Sequence, residues 1–135
     1  MRIVIDTNVV VSGIFFGGLP NELLRLVIKK EIFATVSNEI IDEYYKTFSY
    51  LLNSKKYKPK EDITLNSVIE KMKIIFPASK VEICRDPDDD KFIACAIDGK
   101  CKYIVSGDKD LLELKSFKNV EIVTVREFMN ELSEF

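Results

Sequence analysis

The chain has 135 residues, of which 47% are hydrophobic and 31% charged, with a net charge of −2. That is the mix of one globular domain, 1–135, and its charge gives no global attraction to nucleic acid. Histidine is absent, which excludes Ser-His-Asp, Cys-His and histidine-base catalysis and leaves carboxylates, lysine, hydroxyls or a metal.

Residues 2–5 read as a short, buried, β-branched strand that ends in Asp6. Val9 to Val11 continue the apolar character, and Gly13, Gly17 and Gly18 predict a loop after them. Pro20 suits a first helical turn, and Leu23, Leu24, Val27 and Ile28 carry helical periodicity to about residue 30. A second strand covers 32–36. Ser37 or Asn38 caps a helix reaching about residue 52, with Glu43 the acid nearest its apolar edge. A lysine-rich connection spans 53–60, followed by a helix over 63–76 that Pro77 ends. A short strand is expected over 81–83, and a helix over 88–98 with Gly99 as its stop. Residues 102–106 form a strand, 110–114 a short helix, and 120–123 the last strand. Thr124 to Glu127 form a capping box that opens the final helix. Strands alternate with helices and no hairpin signal is present. The expectation is an α/β three-layer sandwich, a central parallel sheet flanked by helices.

No apolar run has the roughly 18 residues that a membrane span needs. The acid at position 6 comes too early for a signal peptide, so a cytoplasmic chain with no membrane partner is expected. Cys84, Cys95 and Cys101 are odd in number and lack C-x-x-C spacing, so neither a disulfide framework nor a zinc site is expected.

Four acids carry the chemistry: Asp6, Glu43, Asp90 and Asp108. Asp6 and Asp108 each follow an apolar run, the placement of ligand-binding residues in open α/β sheets. Their plainer reading is turn chemistry. Asp86 to Asp90 hold four aspartates. Helix caps explain two or three of them, and a bound cation would relieve the remaining repulsion. An EF-hand loop is excluded, because Lys91 falls on the glycine position and Ile97 on the glutamate position. Carboxylates at strand tips make a hard-oxygen pocket suited to Mg²⁺ or Mn²⁺.

Together these residues resemble the PIN-domain family and, within it, toxin endoribonucleases of the VapC kind. Asp6-Thr7-Asn8 is similar to the family's opening Asp-Thr-Asn. Val36-Ser37 with Glu43 resembles its Ser…Glu spacing. Asp90 with Ile93-Ala94-Cys95-Ala96 resembles its Asp-x-x-Ile-Ala-x-x-Ala helix start, and Ser106-Gly107-Asp108-Lys109-Asp110 its Thr/Ser-x-Asp-x-Asp segment.

The resemblance implies an endoribonuclease that cleaves single-stranded RNA by attack of a metal-activated water on the phosphodiester. Asp6, Glu43, Asp90 and Asp108 would hold one or two Mg²⁺ or Mn²⁺ ions, with Asp110 the alternative fourth acid. Thr7, Asn8, Ser106 and Asp110 would orient ligands or water. The family also implies a homodimer and a protein antitoxin. For the RNA itself, Lys55, Lys56, Lys58 and Lys60 are the candidate phosphate contacts, against a solvated loop. Tyr44, Tyr45 and Tyr50 are expected in the core or an interface. A haloacid-dehalogenase-like phosphatase is rejected because Asn8 stands where it needs a second aspartate. A non-catalytic PIN scaffold that binds RNA or a partner is the competing reading.

Overall fold

The computed structural model describes residues 1–60 and 62–134; the final residue of the expected 1–135 domain lies outside them. A six-stranded sheet has the order β3-β2-β1-β4-β6-β5. Its strands are β1 (Arg2–Ile5), β2 (Phe33–Val36), β3 (Lys73–Ile74), β4 (Tyr103–Val105), β5 (Ser116–Phe117) and β6 (Val120–Val123). All neighbours pair in parallel except β5 and β6. Ile3, Val4 and Ile5 are fully buried, as expected of a central parallel strand covered on both faces. The helices that flank the sheet are α1 (Thr7–Phe15), α2 (Gly18–Ile28), α3 (Asn38–Asn53), α4 (Leu65–Glu70), α5 (Asp90–Asp98), α6 (Lys109–Leu114) and α7 (Val125–Ser133). The expected α/β architecture is the observed one.

The departures have local causes. The loop expected after Val11 begins only beyond Phe15, because Asp6 caps a helix that carries Val9 to Val11 and runs on through Gly13. Gly13 lies inside α1, where a Cβ would come within 2.7 Å of Leu24 Cδ1 and 2.9 Å of the Pro20 carbonyl oxygen. It is there for the close approach of α2, and only Gly17 and Gly18 make the turn. The helix expected over 63–76 stops at Glu70, and Lys73–Ile74 then pair with β2 as a short edge strand.

Residues 81–83 are not a strand. The amides of Ile83 and Cys84 donate to Asp90, and those of Ala78 and Ser79 to Asp98, so side chains satisfy this backbone in place of a ladder. A β5–β6 hairpin is present despite the missing signal, since its left-handed turn residue is Lys118, with φ 54°, not a glycine. Gly99 is likewise right-handed. Lys100 takes the left-handed position, with the two backbone bonds of a Schellman ending from Lys100 to Ile97 and from Cys101 to Ala96.

Successive connections from β1 run first to β2 and β3 on one side and then to β4 on the other. The C-terminal ends of β1 and β4 are therefore the topological switch point, where open α/β sheets bind ligands. Among the described residues, no single helix is long and apolar enough to cross a membrane.

Candidate active site

A cavity of about 570 Å³ opens at this switch point. Asp6 reaches it from the end of β1 and is only 6% exposed. Its Oδ1 accepts the Thr7 amide at 2.7 Å and its Oδ2 accepts the Ser106 hydroxyl at 2.6 Å. Burial raises its pKa; the Ser106 and Thr7 bonds oppose that rise, and the charges of Glu43 and Asp108 add to it. Ser106, fully buried at the end of β4, also accepts the Asp108 amide at 3.0 Å. One hydroxyl thus ties the two acid-bearing strand ends together.

Asp108 lines the cavity and caps α6 by accepting the Asp110 amide at 3.3 Å. Asp110 itself is exposed and lies 3.5 Å from Arg85. Of the two acids the sequence offered, Asp108 lines the cavity and Asp110 does not. Glu43 lines the cavity from α3. It accepts the Thr7 hydroxyl and an ion pair at 2.7 Å from Lys91, whose side chain is 10% exposed and also donates to the Asp88 carbonyl. Burial works against the Lys91 charge, but Glu43 outweighs it and holds the ammonium above its usual pKa.

Asp90, expected as the third acid, is displaced from the cavity wall, where its neighbour Asp89 stands. Asp90 Oδ1 accepts the amides of Cys84 at 2.8 Å and Ile83 at 3.2 Å, and its carboxylate does not line the cavity. Burial opposes its charge, yet those amides and the Cys84 thiol outweigh it and lower its pKa. Asp89 lines the cavity instead, with Asp86 and Asp88. Its pKa is pushed up to about 7, first by burial, then by a hydrogen bond with Asp108 and by the charges of Asp108, Asp6 and Asp86. The cause of the displacement is a single 3₁₀ turn, Pro87–Asp89, ahead of α5. Adjacent residues point about 100° apart on a helix, so a shift of one sends the carboxylate elsewhere. The sequence marked the whole cluster, and the Asp-x-x-Ile-Ala spacing singled out Asp90 within it, not Asp89.

Thr7 and Asn8 line the cavity. Lys46 and Thr47, which sequence reasoning overlooked, line it too, and so does Tyr50, expected in the core or an interface. The signal was their spacing from Glu43, which puts all four on one helical face. Tyr44 is core, its hydroxyl 2.5 Å from the Ile5 carbonyl oxygen, and Tyr45 bonds Asn66, but Tyr50 is 74% exposed. Lys55, Lys56, Lys58 and Lys60 are exposed just beyond the end of α3. The cysteines are set apart from the chemistry: burial pushes Cys84 and Cys95 each up to about 12.

Among the described residues, no three acids stand close enough to form a ready-made metal cage. The donor chemistry nevertheless suits a hard divalent cation: Asp6, Asp89 and Asp108 line the same cavity, and no thiolate does. The raised pKa of Asp89 reflects, after burial, its closeness to Asp108, a repulsion that a cation between the two carboxylates would relieve.

A family model described as PIN domain matches residues 2–110. Over 148 aligned positions the chain is 31% identical to an uncharacterized protein, MJ1680, of Methanocaldococcus jannaschii, covering all of this chain and 94% of that one. The structure of the PIN domain endonuclease Utp24 superposes with a TM-score of 0.50 at 15% identity, over 90% of this chain and 82% of that chain, a likeness of fold alone.

Proposed function

The chain belongs to the PIN-domain family, whose members are generally nucleases that use divalent metals, and on that premise we propose that it is a Mg²⁺- or Mn²⁺-dependent endoribonuclease acting on single-stranded RNA. The observation that carries the proposal is the convergence of Asp6, Asp89 and Asp108 at the switch point of the sheet. These three carboxylates would hold the cation, which when bound supplies positive charge at the scissile phosphate and a more acidic water.

The chain's own groups do the rest. The Thr7 amide and Ser106 hydroxyl fix both oxygens of Asp6, so its free lone pairs point one way. Ser106 sets Asp108 relative to Asp6 through its bond from the Asp108 amide. Asp89 gives up its proton near neutral pH and completes the donor set. Lys91 and Thr7 hold Glu43 at the cavity's edge.

The test is cleavage of single-stranded RNA by the purified protein with Mn²⁺, with a chelator, and after Asp6→Asn or Asp89→Asn. Loss of cleavage in the last three supports the assignment; chelator-resistant cleavage overturns it. One observation favours the competing scaffold reading: Lys91 already neutralises Glu43. Calorimetric titration with Mn²⁺ separates the two, since a scaffold of this kind takes up no cation. The proposal extends to the toxin of a toxin–antitoxin pair, a cytoplasmic homodimer blocked by a protein antitoxin. Growth arrest on expression, relieved by Asp6→Asn, tests that extension.

A further inference from the structure

A cavity walled by aspartates repels the polyanion it is meant to receive, so the approach to it must carry compensating groups. Among the described lining residues, Lys46 is the basic one. It stands one turn along α3 from Glu43, and Tyr50 stands one turn further, on the same face. From Glu43 to Tyr50 the helix rises about 10 Å. A solitary exposed tyrosine is ordinary. This one is 74% exposed, lines a concave site and stands next to that cation, whereas the other two tyrosines of α3 are hydrogen-bonded elsewhere.

Tyr57, in the lysine-rich segment, is not equivalent. Its ring packs edge-on against Phe16 at 5.3 Å and 87°. The segment's lysines lie beyond the C-terminus of α3, in the direction in which the Glu43–Lys46–Tyr50 face leads away from the acids.

We propose that Lys46 and Tyr50 form a nucleotide-positioning subsite: Tyr50 stacks on an unpaired base, Lys46 pairs with a backbone phosphate, and the neighbouring phosphodiester is thereby presented to Asp6, Asp89 and Asp108. The proposal rests on the nuclease reading above and deepens it. It makes single-strandedness a requirement of the site, because a base within a duplex has no free face to offer Tyr50.

The experiment measures Mn²⁺-dependent cleavage of a short mixed-sequence single-stranded oligoribonucleotide, and of a series in which each base in turn is removed to leave an abasic residue. Tyr50→Ala raises KM about tenfold and leaves kcat nearly unchanged, as loss of one stacked base predicts. Tyr50→Phe keeps the ring and restores the parent's KM. At one position in the series, base removal costs the parent as much as Tyr50→Ala does and costs that variant nothing more. Lys46→Ala flattens the salt dependence of KM by about 0.7 on a log–log scale. A parent-like KM for Tyr50→Ala, or base-removal costs identical in the parent and that variant at every position, overturns the subsite while leaving the nuclease standing. A parent that cleaves no single-stranded RNA overturns the nuclease reading and this inference with it. Because Tyr50 is exposed, unchanged thermal melting of both Tyr50 variants is the expected fold control.

Discussion

The two ends of the sheet carry opposite charge. At the C-terminal ends of β1 and β4, Asp6, Asp89 and Asp108 face a cavity of about 570 Å³. At the N-terminal ends of β4 and β6, a cavity of about 430 Å³ is lined by Lys100, Lys102 and Lys118. A net charge of −2 averages over both and describes neither. The manner in which the charges are held differs more than their sign. Asp6 is clamped through both oxygens, and Ser106 bridges it to Asp108. Lys102 and Lys118 lie over the rings of Tyr103 and Phe117 on long, flexible stems. Carboxylates held against one another out of water are costly to a fold and suit one localised cation. Flexible ammoniums suit solvent and diffuse anions.

The largest expected effect breaks the acidic end at single residues. Asp89→Asn is expected to slow Mn²⁺-dependent cleavage by about a hundredfold or more, since a cation's stabilisation of the transition state is worth several kcal/mol. Asp90→Asn is expected to slow it far less and to loosen residues 83–84 instead, because Asp90 holds their amides. Single-turnover rates for the two variants, with hydrogen exchange over 81–86, check the contrast; equal loss from both would return Asp90 to the site.

Charge removal at the basic end sharpens the comparison. Replacing Lys100, Lys102 and Lys118 together with alanine is expected to leave Mn²⁺ affinity within about twofold. The two ends are separated by the length of the strands, about a Debye length or more at physiological salt. Replacing Lys55, Lys56, Lys58 and Lys60 is expected to lower the salt slope of RNA binding by up to about 0.7 per lost contact. Titrations at several salt concentrations compare the two sets, and a larger slope change from the Lys100 set would move the RNA path to the other end of the sheet.

The raised carboxyl of Asp89 makes a smaller, signed prediction for the metal-free protein. Its folded pKa, about 7, lies above the ordinary 3.8, so the neutral acid is the form that the fold favours. That contribution is complete below pH 3.8 and is lost as pH rises toward 7. The melting temperature should therefore fall between about pH 4 and 7. Discounted for its solvent-facing side, Asp89 accounts for about 1 kcal/mol of this, or a few degrees. Asp89→Asn should flatten the fall, and saturating Mn²⁺ should reverse it. A pH-independent melting temperature in the parent would remove the repulsion on which the cation argument stands.

The smallest effect concerns the turn behind the basic cavity. Lys100→Gly relieves a left-handed backbone, φ 54°, and should raise stability by about 1 kcal/mol or less without touching cleavage. A thermal melt checks it, and destabilisation would mean that the lysine side chain contributes packing there.

Much of this protein could be read before folding because its signals are local. Apolar runs with β-branched residues announced β1, β2, β4 and β6, and the Thr124–Glu127 capping box announced α7. An acid just after an apolar run, at once for Asp6 and after Ser106-Gly107 for Asp108, placed both beyond strand ends, and the alternation of elements implied the parallel sheet. Features that depend on partners distant in sequence were not legible. β3 exists because β2 offers it an edge, and residues 81–83 are not a strand because Asp90 takes their amides. Asp89 and Asp90 are chemically identical neighbours, and only the 3₁₀ turn between Asp86 and α5 aims one at the cavity and the other at the backbone. Tyr44 and Tyr50 share a residue type and a helix, yet one is sealed against Ile5 and the other stands open beside the acids. Composition and spacing determine which groups a chain has and which face of its own element they share. The direction in which a charge finally points is set by what packs against it, and that is a property of the folded whole.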